Sequence, residues 1–288
     1  MKAMVTLTAE ESKRLIGRSI ARMEIVQKAM NEGIIGFSLC TSCGYVIQEL
    51  LGEPSIRLSR YCCGFVYGGG SCEVPSNKQE KLLLLYKGEK RWLNFPEENF
   101  SAFLNEMDAD DVIIKSGNVM DPDGNVGVLV SSPDGGEAGA YLPHIISKGI
   151  KLIVPMTLNK TAPIHLAEIL PHMGIYQFRR DRVHGMSCGM MALPGKVISE
   201  VDAFRDLFDV QAIPVAMGGV GSGAGAATLM LMGDDSAVEE AWQTVNEIKG
   251  EPPLENFLSQ CTQCEGSSGA RDAVQCSTRL RRPKKLGR

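Results

Sequence analysis

GIIGFSLCTSCGYVIQELLG, residues Gly33–Gly52, is the stretch from which the fold is read. Its first five residues are a short apolar run bounded by small residues, the pattern of a buried strand over Gly33–Phe37. Ser38–Gly44 then reads as a loop and Tyr45–Leu51 as a helix ended by Gly52. Strand, loop and helix in that order open a doubly wound α/β domain. Upstream, Thr8 and Glu11 have the spacing of a capping box. Leu15, Ile16, Ile20 and Val26 mark one apolar helical face, which Gly33 closes.

Downstream, Arg60–Tyr67, Lys81–Tyr86 and Arg91–Leu93 read as antiparallel or irregular strands, broken at Gly68–Gly70 and Gly88. Asn94–Met107 reads as a helix with a Pro96 start. Asp111–Lys115, Val126–Val130 and Ile150–Val154 are further strands, with a helix predicted over Glu137–Lys148. Asp121-Pro122-Asp123-Gly124 is a type I turn, because proline presets φ at its second position. Residues 163–186 read as a helix and a connector. Cys188–Leu193, Val210–Met217 and Ala226–Met232 read as strands, with capping boxes at Ser199–Asp202 and Ser236–Glu239 for the helices between and after them. That β-α-β-β-α order is most of a ferredoxin-like unit without its final strand.

The expected fold is therefore α/β: a doubly wound, mostly parallel sheet followed by a smaller ferredoxin-like α+β unit. Residues 1–170 would form a ligand-binding domain, 171–186 a connector and 187–252 the ferredoxin-like unit. Residues 253–288 read as a Gly/Ser-rich basic tail, expected to be disordered.

The 288 residues carry 34 acidic and 30 basic side chains, a net charge of -4 that gives the folded domains no general reason to bind nucleic acid or an anionic membrane. The basic residues gather at the end, with Arg271, Arg279, Arg281, Arg282, Lys284, Lys285 and Arg288 against Asp272. No apolar run approaches the ~20 residues of a membrane-spanning helix. MKAMVTLTAE lacks a signal-peptide core, so the expected location is cytoplasmic, with reduced thiols. The nine cysteines are an odd number, which speaks against a closed disulfide framework.

The run GGVGSGAG (Gly218–Gly225) fails as a dinucleotide fingerprint: Ala224 breaks the pattern and a strand follows instead of a helix, so it reads as a hairpin connection. Asp121, Asp123 and Asn125 alternate like the start of a calcium loop, but Val126 and Ser132 stand where glycine and glutamate are needed. Cys40 and Cys43 are spaced Cys-x-x-Cys where a strand feeds a helix, a position that favours thiolate. With Cys62 they are the candidate metal ligands or redox thiols, the other reading being buried structural cysteines. The four histidines show no triad or metal spacing.

Several of these segments together resemble a superfamily that holds ribose-5-phosphate isomerase, glucosamine-6-phosphate deaminase, the coenzyme A transferases and sugar-phosphate-sensing repressors. The resemblance rests on Cys40-Thr41-Ser42-Cys43-Gly44 before a helix, Ser116-Gly117-Asn118-Val119-Met120-Asp121-Pro122-Asp123-Gly124-Asn125, Ser131–Gly136 and Asn159-Lys160. It spans residues 33–162, with a weaker architectural match over 187–250. It implies a ligand site at the C-terminal ends of the strands. There Thr41, Ser42, Gly44, Gly117, Asn118, Gly135 and Gly136 would surround a phosphate or other anion, and Lys160 would approach it. Where the isomerase carries strand-end acids and a lysine before its Gly-rich loop, this chain has Lys115, Asn118 and Val128.

The expected function is binding of a small anionic metabolite, a sugar phosphate or an acyl-coenzyme A. Its enzymatic form is an isomerase or transferase with Glu137 or Asp123 as acid/base or nucleophile. The alternatives are a non-catalytic metabolite sensor and a cysteine-based redox or metal protein. No cofactor is expected, and a homo-oligomer is the expected assembly. All of this requires the chain near residues 42, 118 and 160 to converge.

Overall fold

Residues 2–7 alternate, with Val5 and Leu7 buried and Met4 and Thr6 outward, so the chain begins with a strand that the sequence reading passed over. The structure is a computed structural model that describes residues 1–67, 70–74, 79–94, 100–179 and 182–254. The proposed Pro96 helix start, nearly all of the basic tail, and Cys261, Cys264 and Cys276 lie outside the described residues.

After β1 (Lys2–Leu7), the predicted capping box starts α1 (Ala9–Arg22). The Glu11 N–H donates to Thr8 Oγ1 at 3.3 Å and the Thr8 N–H to Glu11 Oε2 at 2.9 Å. The single expected helix is broken at extended Met23, and α2 (Glu24–Glu32) follows. No glycine or proline marks this break; the Gln27 side chain satisfies the freed Ala21 carbonyl at 2.6 Å. Then come β2 (Ile34–Phe37), α3 (Thr41–Leu51), β3 (Gly64–Tyr67), β4 (Gly70–Glu73), β5 (Leu82–Tyr86), β6 (Glu89–Leu93) and α4 (Phe100–Glu106). The middle of the chain gives β7 (Val112–Ile114), β8 (Val119–Met120), β9 (Val126–Val130), α5 (Gly136–Lys148), β10 (Lys151–Pro155) and α6 (Leu166–Ile169). It closes with β11 (Gly189–Leu193), β12 (Lys196–Ile198), α7 (Glu200–Phe208), β13 (Gln211–Gly218), β14 (Ala226–Met232) and α8 (Asp235–Ile248).

The fold is mixed α/β. A six-stranded sheet runs β12-β10-β7-β2-β5-β6, parallel from β12 to β2 and antiparallel through β5 and β6. Smaller antiparallel sheets are β1-β14-β13, β11-β9-β8 and the ribbon β3-β4. The parallel strands β2, β7, β10 and β12 are laid down in chain order to one side, and the β5–β6 hairpin extends the other.

The C-terminal segment corrects the expected ferredoxin-like sheet. Its strands divide among three sheets: β11 pairs with β9, β12 with β10, and β13 and β14 with each other. The place beside β14 is taken by β1, whose six residues pair with Leu7↔Ala227 at one end and Lys2↔Met232 at the other. The α8 start is also corrected: Asp234, not Ser236, is the N-cap, and its side chain makes no capping bond. The run Gly218–Gly225 does connect β13 and β14 as an antiparallel hairpin. The larger apolar cluster of the described residues reaches from Val5 to Ile248 and draws on both sides of residue 170. α1 packs on α3 and α7, and α4 meets α5 through an edge-on Phe103–Tyr141 contact with centroids 6.3 Å apart.

Candidate functional site at the strand ends

Parallel pairing aligns Phe37 with Ile114, and Ile114 with Ile153, so β2, β7 and β10 finish side by side. The residues that leave them, Ser38–Cys40, Lys115–Gly117 and Met156–Lys160, therefore share one edge of the sheet. The register runs one step beyond the strands: the Ser38 N–H donates to the Ile114 carbonyl at 2.9 Å and the Lys115 N–H to the Ile153 carbonyl at 3.0 Å. Loops at this end of a parallel sheet are the usual place for a ligand site.

Glu137, in the first turn of α5, reaches back over this edge. It accepts hydrogen bonds from Ser38 Oγ at 2.6 Å, the Leu39 N–H at 3.0 Å and Lys115 Nζ at 3.2 Å. Lys115 Nζ also donates to Ser38 Oγ at 2.9 Å, which closes a buried triangle of ammonium, carboxylate and hydroxyl. Burial opposes the charge on Lys115, but Glu137 beside it outweighs that cost and holds the lysine above its ordinary pKa. Positive φ at Gly135 (79°) and Gly136 (55°) turns the chain into α5 and aims Glu137 inward.

Cys40 is the N-cap of α3. Its Sγ accepts from the Cys43 N–H at 3.3 Å and lies 2.9 Å from Cys43 Sγ, and both thiols are free. Burial alone would raise the Cys40 pKa; the bonds from Cys43, the Ser116 N–H and the charge on Lys115 overcome it and bring it down to about 7. Cys43 is fully buried, and burial together with its neighbour Cys40 pushes it well above the ordinary range.

Lys160 closes the other side. The short 3-10 turn Leu158–Lys160 directs its Nζ to the Gly117 carbonyl at 2.9 Å and to Ser116 Oγ at 3.3 Å. Both acceptors are neutral, and among the described residues no carboxylate comes within ion-pair distance of it. Burial, and then repulsion from Lys13, bring its pKa down to about 8, against attraction from Cys40, Cys43 and Glu200. Glu200, at the start of α7, is buried and held above the ordinary carboxylate range by that burial, while it accepts from the Leu158 N–H at 2.9 Å.

The structure thus places Thr41, Ser42, Gly117, Glu137 and Lys160 around one sheet edge, with Ser42 buried in the first turn of α3. Gly44 lies one turn into that helix against Leu58, whose Cδ2 stands 2.8 Å from where a Cβ would sit. Gly117 is required by packing: an added Cβ would lie 2.2 Å from Val126 Cγ1 and 2.8 Å from the Gly127 carbonyl oxygen. Two expectations are corrected. Asn118 turns outward to β9, where its Oδ1 accepts the Leu129 N–H at 2.9 Å. Asp123 lies exposed in the β8–β9 turn and pairs with His165 at 3.2 Å, so it does not join Glu137. The turn is organised by buried Asp121, which accepts the Asp123, Asn125 and Leu166 N–H groups; those bonds, against its burial, hold its pKa at about 2.

Of the cysteines weighed as metal ligands, Cys40 and Cys43 meet, while Cys62 donates instead to the Ser59 carbonyl at 3.5 Å. Ser38, Ser116 and Glu200 were missed as site residues. Ser38 directly follows β2 and Ser116 lies two residues beyond β7, both buried parallel strands, and that position was the available signal; Glu200 follows the short β12, which gave none. Comparison with protein-family models, with curated proteins and with solved structures found no match.

Proposed function

We propose that the protein binds a small anionic metabolite, a sugar phosphate or an acyl-coenzyme A, at the C-terminal edge of β2, β7 and β10. The observation that carries this is Lys160. Its ammonium is largely withdrawn from water, hydrogen-bonded to neutral acceptors only, and adjacent to the start of α3. The N-terminus of a helix carries unpaired N–H groups and partial positive charge, so an anion seated there would meet two favourable fields. The resemblance to sugar-phosphate isomerases and coenzyme A transferases supports the same reading, and the doubly wound layout is the fold it implies.

Engagement of Glu137 favours binding over isomerisation. An aldose–ketose isomerase needs a carboxylate that can reach its ligand. Both Glu137 oxygens are already taken, by Ser38, Leu39 and Lys115. A metabolite-sensing protein is therefore the preferred form of the proposal.

Calorimetry with ribose 5-phosphate, glucose 6-phosphate and acetyl-coenzyme A tests it. Wild-type protein should bind at least one of them. Lys160→Gln should weaken that binding by about tenfold or more, the worth of a charge-assisted hydrogen bond. Because the Lys160 pKa is about 8, affinity should fall as pH rises from 7 to 9, when the ammonium is lost. Failure to bind any of the three, or equal affinity in Lys160→Gln, would overturn the proposal.

A further inference from the structure

The Cys40–Cys43 pair is not used by metabolite binding. Its two sulfurs are in contact at 2.9 Å, against the ~2.05 Å of a disulfide bond. Access to them is unequal: Cys40 is half-buried at the mouth of the helix, and Cys43 has no exposed surface. An incoming reagent can therefore meet only Cys40, with Cys43 directly behind it.

The other buried thiols lack this setting. Burial drives Cys62 and Cys63 up to about 12, and Cys63 Sγ accepts instead from Gln79 at 3.2 Å. Of the lysines around Cys40, Lys115 is paired with Glu137 and Lys13 with Glu10 at 3.6 Å, while Lys160 pairs with no carboxylate among the described residues, so the uncompensated charge beside the dithiol is cationic. The acids of the edge are spent, Glu137 on Lys115 and Glu200 on the Leu158 N–H.

We propose that Cys40 and Cys43 are a redox dithiol that reduces small anionic disulfides, Cys40 as the attacking sulfur and Cys43 as the resolving one. The Cys40 thiolate attacks one sulfur of the substrate disulfide. A Cys40–substrate mixed disulfide forms, and the other half leaves as a thiolate. Cys43 then attacks Cys40 Sγ and the mixed disulfide breaks. The second half leaves as a thiolate, and the Cys43 proton passes to one of the two leaving sulfurs. Two electrons move from the dithiol to the substrate, and the protein is left with a Cys40–Cys43 disulfide that a small-molecule thiol reduces again. The contacts from Cys43, the Ser116 N–H and Lys115 that lower the Cys40 pKa favour its thiolate over that of an ordinary thiol.

The test is a titration of reduced full-length protein with oxidised glutathione, an anionic disulfide, followed by peptide mapping. Wild type should lose its free Cys40 and Cys43 together, with a disulfide between them and two glutathione thiols released. Cys43→Ser, or Cys43→Ala if the serine variant unfolds, should stop at one glutathione on Cys40. Cys40→Ser should leave Cys43 unmodified. Cystamine, a cationic disulfide, should react about tenfold more slowly than oxidised glutathione, since like charges repel at the cationic edge. The dithiol proposal fails if wild type keeps both thiols alkylatable, or if the adduct of the Cys43 variants maps to Cys63 or Cys72. Equal or faster reaction with cystamine would overturn the anionic substrate class. Lys160→Gln separates this proposal from the preceding one, because it should weaken metabolite binding by about tenfold or more and leave oxidation by cystamine in place.

Discussion

Lys115 and Glu137 place a full positive and a full negative charge inside the protein, 3.2 Å apart. Such a pair is tolerated because Ser38 Oγ and the Leu39 N–H occupy the remaining bonding positions of the carboxylate. Removing one partner leaves an uncompensated charge. Glu137→Gln should therefore destabilise the protein by about 3–5 kcal/mol, read as a lower urea midpoint, and Lys115→Met with Glu137→Leu together should recover much of the loss. If Glu137→Gln melts like wild type, the triangle does not hold the edge together. Glu137 was legible in the sequence as a helix-start acid behind two glycines, and Lys160 as a loop lysine. Ser38 and Lys115 were not, because what matters about them is the partner across the sheet. Asn118 misled for the same reason: its spacing in Ser116–Asn125 carries no information on which way its side chain turns.

At the scale of single elements, the capping box of α7 was readable from Ser199 and Asp202 and is formed in both directions, at 3.4 Å and 2.9 Å. It also seats Glu200 beneath the Lys160 turn. Ser199→Ala should cost about 1 kcal/mol of stability, typical of a lost N-cap, while Ser199→Asp should cost less; equal losses would show that the cap is not what holds α7. Strands were legible where apolar or β-branched runs are dense, as at Asp111–Lys115 and Val126–Val130. β1 and the three-residue β12 were passed over: one alternates weakly and the other is too short to show a period. The ferredoxin-like reading failed on pairing, not on element type. Local pattern identifies a strand, but the choice of β9 for β11 and β10 for β12 is made by contacts far along the chain.

Across the whole molecule, β1 joins the two ends of the described chain. The Met1 ammonium pairs with Asp235 at 2.7 Å. Glu11, at the start of α1, accepts from the Gly250 N–H at 3.0 Å and pairs with Lys249 at 2.9 Å, and Arg14 holds Glu251 at 2.9 Å. With Leu7 in the main apolar core, which runs from Val5 to Ile248, Leu7→Ala should cost about 2–5 kcal/mol and be felt throughout that core. Near-ultraviolet dichroism and the alkylation of Cys40 should then lose their native values in one shared transition. Separate midpoints would mean that the C-terminal segment unfolds on its own.

The hairpin partner of β14 has a consequence of a different kind. β13 is the outer strand of its sheet, and it leaves apolar Val215 and Met217 51% and 47% exposed. A bare strand of this sort invites another chain to add on. Here Pro214 has no N–H to offer, and the register slips between Pro214 and Ala216. A newcomer laying itself alongside would find the ladder interrupted midway, so self-assembly by continuous sheet growth is obstructed along the very margin whose side chains would otherwise encourage it.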